Sequence, residues 1–184
     1  SFRMALEDEL KVSDAGKPLV ALDYRVSGQA ERQTRAFVAV DSEGQGSLNL
    51  VTSRINLLTG QRRAVVDRVP LPPLPEGAEV HSVLMGENAD QVFVADASGR
   101  VHRFNTSNVQ APVLAESTSL LSPGTHLRVF GFLPGGQSVV AGGSDGSLNI
   151  YFLLKNEKAG SKDGLSLQLS REFGPFRPAP ARFT

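Results

Sequence analysis

Residues 139–150 read VVAGGSDGSLNI, an apolar run that enters a turn of serine, aspartate and glycine and leaves it as a second apolar run. Runs of β-branched residues bounded by such a turn are typical of a β-hairpin. The same pattern occurs twice earlier, as FVAVDSEGQGSLNL at 37–50 and as FVADASGRVHRF at 93–104. The turns follow one another at roughly fifty residues, which is the period of a repeat protein built from sheets. The chain is therefore predicted to contain three copies of one β unit.

Each unit reads as four strands separated by glycine, proline, asparagine, aspartate and serine. The predicted strands are 18–26, 35–40, 47–57 and 62–69, then 80–85, 91–95, 100–104 and 111–116, then 127–133, 137–142, 147–154 and 165–171. Four strands per roughly 40–50 residues is the spacing of β-propeller blades. We therefore predict an all-β, β-propeller-like fold with about three four-stranded antiparallel blades, a partial propeller. The single domain covers 1–184, with blades at about 17–70, 78–118 and 124–173 and the start of a further strand at 177–184.

Glycine at the turns and apolar runs before them fit this fold. A tight hairpin turn needs a residue that tolerates positive φ, so Gly44 or Gly46, Gly99 and Gly146 are predicted there. Continuously apolar runs are expected of inner strands that are packed on both faces. Propellers close with roughly four to eight blades, so three blades would leave two apolar faces open to water. We expect the isolated chain to self-associate, or its terminal segments to cover the open ends.

Composition excludes several classes of protein. The 19 basic and 19 acidic side chains cancel, and 40% of the residues are hydrophobic. Neither a nucleic-acid-binding protein that depends on a large positive charge nor a disordered chain is expected. The longest strongly apolar run, 150–154, is far shorter than the roughly 20 residues of a membrane-spanning helix. The absence of cysteine excludes disulfides, thiolate catalysis and thiolate zinc sites.

The two ends indicate a piece of a longer protein. The chain begins at Ser1 without a signal-peptide pattern and ends in the proline-containing stretch 177–184. Residues 2–12 fit a short helix or a strand equally well, and the acidic run 7–9 within them is interpreted as a solvated face.

The third unit resembles the WD-repeat blade. Gly124-Thr125-His126 stands where that family has Gly-His, and 133–136 and 143–146 stand at its two hairpins. Tyr151-Phe152 occupies the position of the family's Trp-Asp, and Ala141 or Gly142 that of its strand serine. The first two units lack the family's His-to-Asp pairing, so the repeat is interpreted as degenerate.

Over most of its length the chain also resembles the propeller-like insert of some proteobacterial phosphate ABC transporter permease subunits. The resemblance is carried by the runs 93–99 and 130–152. It implies a non-catalytic accessory or regulatory domain on the extracytoplasmic, periplasmic side of an inner-membrane protein. The implied partners are other subunits or the remainder of the transporter, with no cofactor, no nucleic acid and no membrane insertion by this segment. It assigns no functional residue to this chain.

Two sets of residues suggest catalysis or metal binding. Residues 142–146 spell G-x-S-x-G, the nucleophile elbow, which requires a strand, a turn and then a helix. A β-branched and aromatic run follows here, so a hairpin turn is predicted. His81, His102 and His126 lack the spacing that would place two imidazoles on one metal. His126 is predicted to cap a blade through a turn hydrogen bond, and the other two to be half-exposed strand residues.

Three further motifs have a structural alternative. Residues 41–46 begin like a calcium loop, but Thr52 stands where the bidentate acid is needed, so an extended hairpin turn is predicted. Asn105-Thr106-Ser107 is formally a glycosylation sequon and is predicted to be a turn. Residues 69–75 contain P-x-x-P and are predicted to connect the first two blades.

Basic charge concentrates in the first unit and could form an anion-binding rim, since arginine binds phosphate or carboxylate bidentately. The alternative is a solvated outer strand, because Glu31, Asp41, Glu43 and Asp67 interleave with these side chains. The arginines are Arg32, Arg35, Arg54, Arg62, Arg63 and Arg68.

The sequence nominates no catalytic, cofactor-binding or metal-ligating residue. The leading hypothesis is that the chain is an accessory domain of a membrane transporter and that this transporter takes up phosphate. The alternative is a soluble WD-repeat-like scaffold that binds protein partners. A third hypothesis is a propeller enzyme, whose polar residues would converge at the channel from the first strand of each blade. The candidates there are Asp23, Arg25, His81 and Arg128.

Overall fold

A computed structural model of the chain describes residues 17–29, 32–156 and 160–175. The segments expected at 2–12 and 177–184, with the acidic run 7–9, lie outside the described residues.

The described residues form twelve β-strands and no helix. Four consecutive strands pair antiparallel in each of three separate sheets, in simple meander order. We call these sheets blade 1, blade 2 and blade 3. The chain is therefore all-β, with three four-stranded antiparallel blades of propeller type, as the repeat predicts. The strands are β1 (Leu19–Gln29), β2 (Arg32–Asp41), β3 (Gly46–Ile55) and β4 (Arg62–Pro70); β5 (Val80–Met85), β6 (Gln91–Asp96), β7 (Arg100–Asn105) and β8 (Val113–Ser119); β9 (Leu127–Phe132), β10 (Ser138–Gly143), β11 (Leu148–Lys155) and β12 (Leu165–Phe173).

Across 17–29, 32–156 and 160–175, no helix has the length and apolar character needed to cross a bilayer.

The blades stack face to face, with the first strand of each blade innermost. β1 contacts β5, and β5 contacts β9. One apolar core, which includes Val38 and Met85, lies between blades 1 and 2. A second core, which includes Phe93 and Tyr151, lies between blades 2 and 3. Each joint between blades is thus a buried apolar layer.

The second strand of each blade contributes to these cores. Every residue of β6 is buried, and its side chains alternate between the two cores. Val92 and Val94 belong to the core shared with blade 1, and Phe93 and Ala95 to the core shared with blade 3. This confirms the prediction that the continuously apolar runs are inner strands packed on both faces.

Glycines with positive φ close the turns that follow these strands. Gly44, Gly99 and Gly146 have φ of 76°, 80° and 82°. Gly46 instead begins β3, and a Cβ there would lie 2.9 Å from the side chain of Leu71. Gly44 is therefore the turn residue of blade 1, whereas Gly46 provides room for close packing.

Aspartates also organise the turns. Asp41 Oδ1 accepts hydrogen bonds from the backbone N–H groups of Glu43 and Gln45, both at 2.9 Å. Asp96 Oδ1 does the same for Ser98 and Arg100, at 2.9 and 3.0 Å. These side chains replace backbone partners within the turn. The hairpin turn predicted for 41–46 is confirmed.

The P-x-x-P stretch lies in the connection between blades 1 and 2, as predicted. β4 ends at Pro70 and β5 begins at Val80. Leu71 is buried in the first core, and its N–H donates to the carbonyl of Gly46 at 2.9 Å. The connection is therefore tied to its blade at the start.

Candidate interaction surface

A buried arginine connects blades 2 and 3. Arg103 on β7 is fully buried, and its Nη1 and Nη2 donate to the two carboxylate oxygens of Asp163 at 2.7 and 2.8 Å. Its Nε donates to Glu116 at 3.2 Å, its Nη1 to Gln91 at 2.8 Å and its Nη2 to the carbonyl of Leu165 at 2.6 Å. Asp163 and Leu165 belong to blade 3, so the guanidinium bridges the joint. Bidentate contacts of this kind are the geometrically specific form of an ion pair.

The surroundings of Asp163 and Arg103 favour the charged form of both side chains. Hydrogen bonds from Arg103 hold the pKa of Asp163 well below its usual range, although burial opposes this. Burial acts to lower the pKa of Arg103, but the bonds and charges of Asp163 and Glu116 outweigh it and raise that pKa. Glu116 also accepts from the backbone N–H of Leu167 on β12, at 3.1 and 3.2 Å. The ion cluster therefore fixes how the two blades sit against each other.

His102, next to Arg103, is buried too. It is 1% exposed, and its Nδ1 lies 2.9 Å from Ser117 Oγ, while its Nε2 lies 3.8 Å from the carboxylate of Asp96. Burial lowers the pKa of His102, against the opposing charge of Asp96. The prediction of a half-exposed histidine is wrong, because β7 lies inside its sheet and His102 faces blade 1. Ser117, His102 and Asp96 thus lie close together, with the imidazole between them buried and Ser117 half-buried.

Asp23 and Arg25 on β1, two of the four polar residues predicted to line the channel, lie at the joint between blades 1 and 2. Asp23 and Arg25 form an ion pair at 3.1 Å, and Asp23 Oδ2 accepts from the backbone N–H of Met85 on β5 at 2.7 Å. Asp23 therefore links blade 1 to blade 2 in the way that Glu116 links blade 2 to blade 3.

His81 and Arg128, the other two residues predicted to line the channel, occupy equivalent positions in the first strands of blades 2 and 3. The pairing register of each innermost strand shifts at one point, between Leu19 and Ala21, between Val80 and Ser82, and beside Arg128. A bulge of this kind turns one side chain out of the ladder. The residues at these points, Val20, His81 and Arg128, are all exposed. His81 Nδ1 lies 3.2 Å from the hydroxyl oxygen of its neighbour, Ser82. Asp23 and Arg25 lie further along β1, so the four candidates form two separate groups.

The hydrogen bonds at the turn of the third blade differ from those that the WD-repeat resemblance implies. Asp145 accepts from Ser147 Oγ at 2.6 Å and from Thr125 Oγ1 at 3.3 Å, which lowers its pKa. His126 contributes its backbone, whose N–H donates to Ser144 Oγ at 3.0 Å, while its imidazole is exposed. The turn hydrogen bond predicted for His126 exists, but the imidazole does not make it. Residues 143–146 form the predicted turn, and strand β11 follows rather than a helix.

Tyr151 stands where the family has tryptophan, and it also serves the joint. Its hydroxyl donates to the carbonyl of Leu120 at 2.7 Å, and Asn149 Nδ2 donates to the same carbonyl at 2.9 Å. Both donors belong to blade 3, and Leu120 follows the last strand of blade 2.

The sequon is part of the structure rather than an open acceptor site. Asn105 ends β7, and its Nδ2 donates to Asp163 Oδ2 at 2.9 Å. Thr106 is fully buried, and its hydroxyl donates to the carbonyl of Ala89 at 2.7 Å. The prediction that the chain turns after β7 is confirmed.

Few of the arginines of blade 1 meet. Arg54 and Arg63 are directly opposite in the register of β3 and β4, are exposed, and line a groove of about 790 Å³. Arg35 Nε donates to Gln33 at 3.3 Å, and Arg68 lines a different groove. The side chains of Arg32 and Arg62 lie outside the described part of the structure. Residues 63–68 of β4 are all exposed, as the alternative of a solvated outer strand predicts.

Three grooves converge on the turn between β5 and β6 of blade 2, the middle blade. Their volumes are about 190, 230 and 230 Å³, and Glu87 lines all of them. One of them is lined by Arg25 of blade 1, Glu87 of blade 2 and Phe132 of blade 3. We call Arg25, Glu87, Asn88, Asp90 and Phe132 the Glu87 surface.

The turn that carries this surface has an unusual backbone. Ala89 has φ of 56°, the one described residue other than glycine with positive φ. Its carbonyl accepts from Thr106, and the N–H of Thr106 donates to the carbonyl of Asp90 at 2.8 Å. Such a conformation persists only where its surroundings fix it, and it is common at binding sites.

Metal ligands do not gather anywhere in the described ranges. Across 17–29, 32–156 and 160–175, no group of three or more histidine, aspartate or glutamate side chains is placed to hold a metal ion.

Comparisons with known proteins give structural neighbours only. No protein-family model and no curated protein sequence matches the chain. The β-propeller domain of Myceliophteria thermophila Cps50 (Swd1) is 12% identical with a TM-score of 0.46, over 84% of this chain and 58% of that one. Saccharomyces cerevisiae Sqt1 is 14% identical with a TM-score of 0.49, over 85% of this chain and 35% of that one. The chain thus spans 58% of the length of the first neighbour and 35% of the length of the second. The sheets described above define its fold: three propeller-type blades joined face to face.

Proposed function

We propose that this chain is a non-catalytic protein-interaction domain that binds a segment of a partner protein across the Glu87 surface. The convergence of three grooves on one fixed turn, with one groove touching all three blades, carries this proposal. Concave sites with a few polar groups between apolar walls are the usual form of a binding site. The soluble scaffold hypothesis, rather than catalysis, agrees with this arrangement.

The chemistry of the surface favours a segment with a basic side chain. Glu87 and Asn88 are exposed, and Asp90 is half-buried beside them. Within the described ranges, neither Glu87 nor Asp90 forms an ion pair. Phe132 supplies an apolar wall next to these carboxylates. A lysine or arginine flanked by apolar residues would pair with the carboxylates and also pack against Phe132.

The joints prepare the surface for binding. Asp23 and Arg103 hold neighbouring blades through hydrogen bonds of 2.6–2.8 Å. A surface that is already ordered loses little conformational freedom when a partner binds, which favours affinity.

Site-specific photo-cross-linking in the native cell tests the proposal. A photoreactive amino acid placed at Asn88 should capture a defined partner, and the same group at exposed Glu76, in the connection between blades 1 and 2, should not. In the Asn88 background, Glu87→Lys should abolish the captured band and Glu76→Lys should leave it. Equal capture from both positions, or capture that ignores Glu87→Lys, contradicts the proposal.

A narrower proposal is that the partner is a transporter. It places this domain on the extracytoplasmic side of an inner-membrane phosphate permease, with the other subunits as partners. Its support is the sequence resemblance of 93–99 and 130–152, and no groove or contact described above adds to it. An immunoblot of fractionated cells tests it: a membrane band that external protease digests supports it, and a soluble band contradicts it.

A further inference from the structure

Among the described residues, one face of blade 1 is left open, and it corresponds to a buried face of blade 2. Leu22 of β1 pairs with Ala39, two residues before the turn aspartate of its blade. Val83 of β5 pairs with Val94, also two residues before the turn aspartate of its blade. Leu22 and Val83 therefore occupy the same place in successive blades. By the same count, Tyr24 in blade 1 corresponds to Met85 in blade 2.

The burial of these equivalent residues differs sharply. Val83 and Met85 are 5% and 0% exposed, because blade 1 covers them. Leu22 and Tyr24 are 52% and 58% exposed. Alternate exposed apolar residues on an innermost strand are unusual unless another surface covers them. We call this surface the leading face of blade 1.

Blade 3 has the complementary open face on its other side. Leu148 and Ile150 of β11 stand where Val101 and Arg103 stand in β7. Val101 and Arg103 are fully buried against blade 3, whereas Leu148 and Ile150 are partly exposed. Val129 and Leu154 are 53% and 48% exposed. We call this surface the trailing face of blade 3.

The two open faces match each other in chemistry. Arg103 on the trailing face of blade 2 requires the acid Asp163 from the next blade. Ile150 takes its place in blade 3, so a blade packed there needs no acid and can be apolar. The leading face of blade 1, with Leu22 and Tyr24, is apolar. A trailing face packed on a leading face is also the way in which both existing joints are built.

We propose that two copies of this chain join through these faces. The leading face of each copy packs on the trailing face of the other, and the two equal joints are related by a twofold axis. Three blades from each copy then close a ring of six, within the range of roughly four to eight at which propellers close. The joint is an extension of an interface already present twice in the chain.

Molar mass in solution tests the dimer. Size-exclusion chromatography with light scattering should give twice the 19.6 kDa of one chain across a dilution series. The double variant Leu22→Lys, Tyr24→Lys should give a single chain with an unchanged far-UV circular dichroism spectrum. The matched control is Leu57→Lys, Leu58→Lys, which alters two exposed leucines of the turn between β3 and β4 and should remain dimeric.

A mixing experiment tests the pairing of unlike faces. Val129→Lys, Leu154→Lys should also give a single chain, because it blocks the trailing face. An equal mixture of this variant with the leading-face variant should regain a dimer at the high end of the series, through its one unaltered joint. A wild type that is monomeric across the dilution series overturns the proposal. A dimer that tolerates the trailing-face variant overturns it as well.

Discussion

Replacing Arg103 with alanine measures how strongly the joint between blades 2 and 3 is held. The change removes five hydrogen bonds of 2.6–3.2 Å and leaves the carboxylates of Asp163 and Glu116 without their cation. Removing one partner of a buried ion pair costs about 3–5 kcal/mol, because the remaining charge is desolvated and unpaired. Domains are stabilised by roughly 5–15 kcal/mol in total. We therefore expect Arg103→Ala to lose about 3–5 kcal/mol of unfolding free energy.

Urea unfolding followed by far-UV circular dichroism measures this loss from the midpoint and slope. The control is Arg54→Ala, an exposed arginine that forms no ion pair within the described ranges, which should change stability by less than about 0.5 kcal/mol. Asp163→Ala should cost less in the Arg103→Ala background than in the wild type, because the two side chains act as one unit. A loss below about 1 kcal/mol for Arg103→Ala would refute the ionic joint, since a net contribution that small is typical of an ordinary hydrogen bond.

Three further changes test particular contacts by urea unfolding. Because the folded-state pKa of Asp163 is lowered, its contribution is complete above the unfolded-state pKa of about 4 and is lost as the pH falls below it. Asp163→Asn should reduce this loss of stability at acid pH, and an unchanged loss contradicts the pairing with Arg103. Burial also lowers the pKa of His102, so stability should fall as the pH drops below about 6.5, and His102→Gln should remove this dependence. Gly99→Ala and Gly60→Ala both strain a positive φ, but only the Cβ of Ala at 99 would meet Leu121, at 2.7 Å. Gly99→Ala should therefore cost about 1–3 kcal/mol more, and equal losses would disprove the close approach.

Much of the blade architecture is readable from local patterns. A turn with aspartate and glycine after an apolar run requires positive φ and side-chain caps, and Gly99 and Asp96 provide both. The continuous apolar run before it requires two buried faces, which β6 has. Both signals lie within a few residues of each other, so a single chain segment carries them.

The joints are not readable in this way. Arg103 is separated from its partners Glu116 and Asp163 by 13 and 60 residues. No spacing rule connects such residues, because the stacking of blades rather than the strand brings them together. The burial of His102 has the same origin. The one local sign is that His102 and Arg103 lie between the apolar residues Val101 and Phe104, and an exposed edge strand can carry the same pattern.

The Glu87 surface also depends on the stacking. Arg25, Glu87 and Phe132 come from three different blades, and each belongs to an unremarkable local sequence. Only the face-to-face arrangement places them around one groove. The positive φ falls on Ala89 itself, and alanine gives no sign of a conformation that usually belongs to glycine or asparagine.

Amide hydrogen exchange by NMR tests the central claim, that at both joints a carboxylate of one blade accepts a hydrogen bond from a backbone N–H of the next. The amide of Met85 donates to Asp23, and the amide of Leu167 donates to Glu116. Both amides should exchange slowly in the wild type. Asp23→Ala should expose Met85 alone, and Glu116→Ala should expose Leu167 alone. Unchanged protection at both amides in these variants would contradict the joints on which the whole account depends.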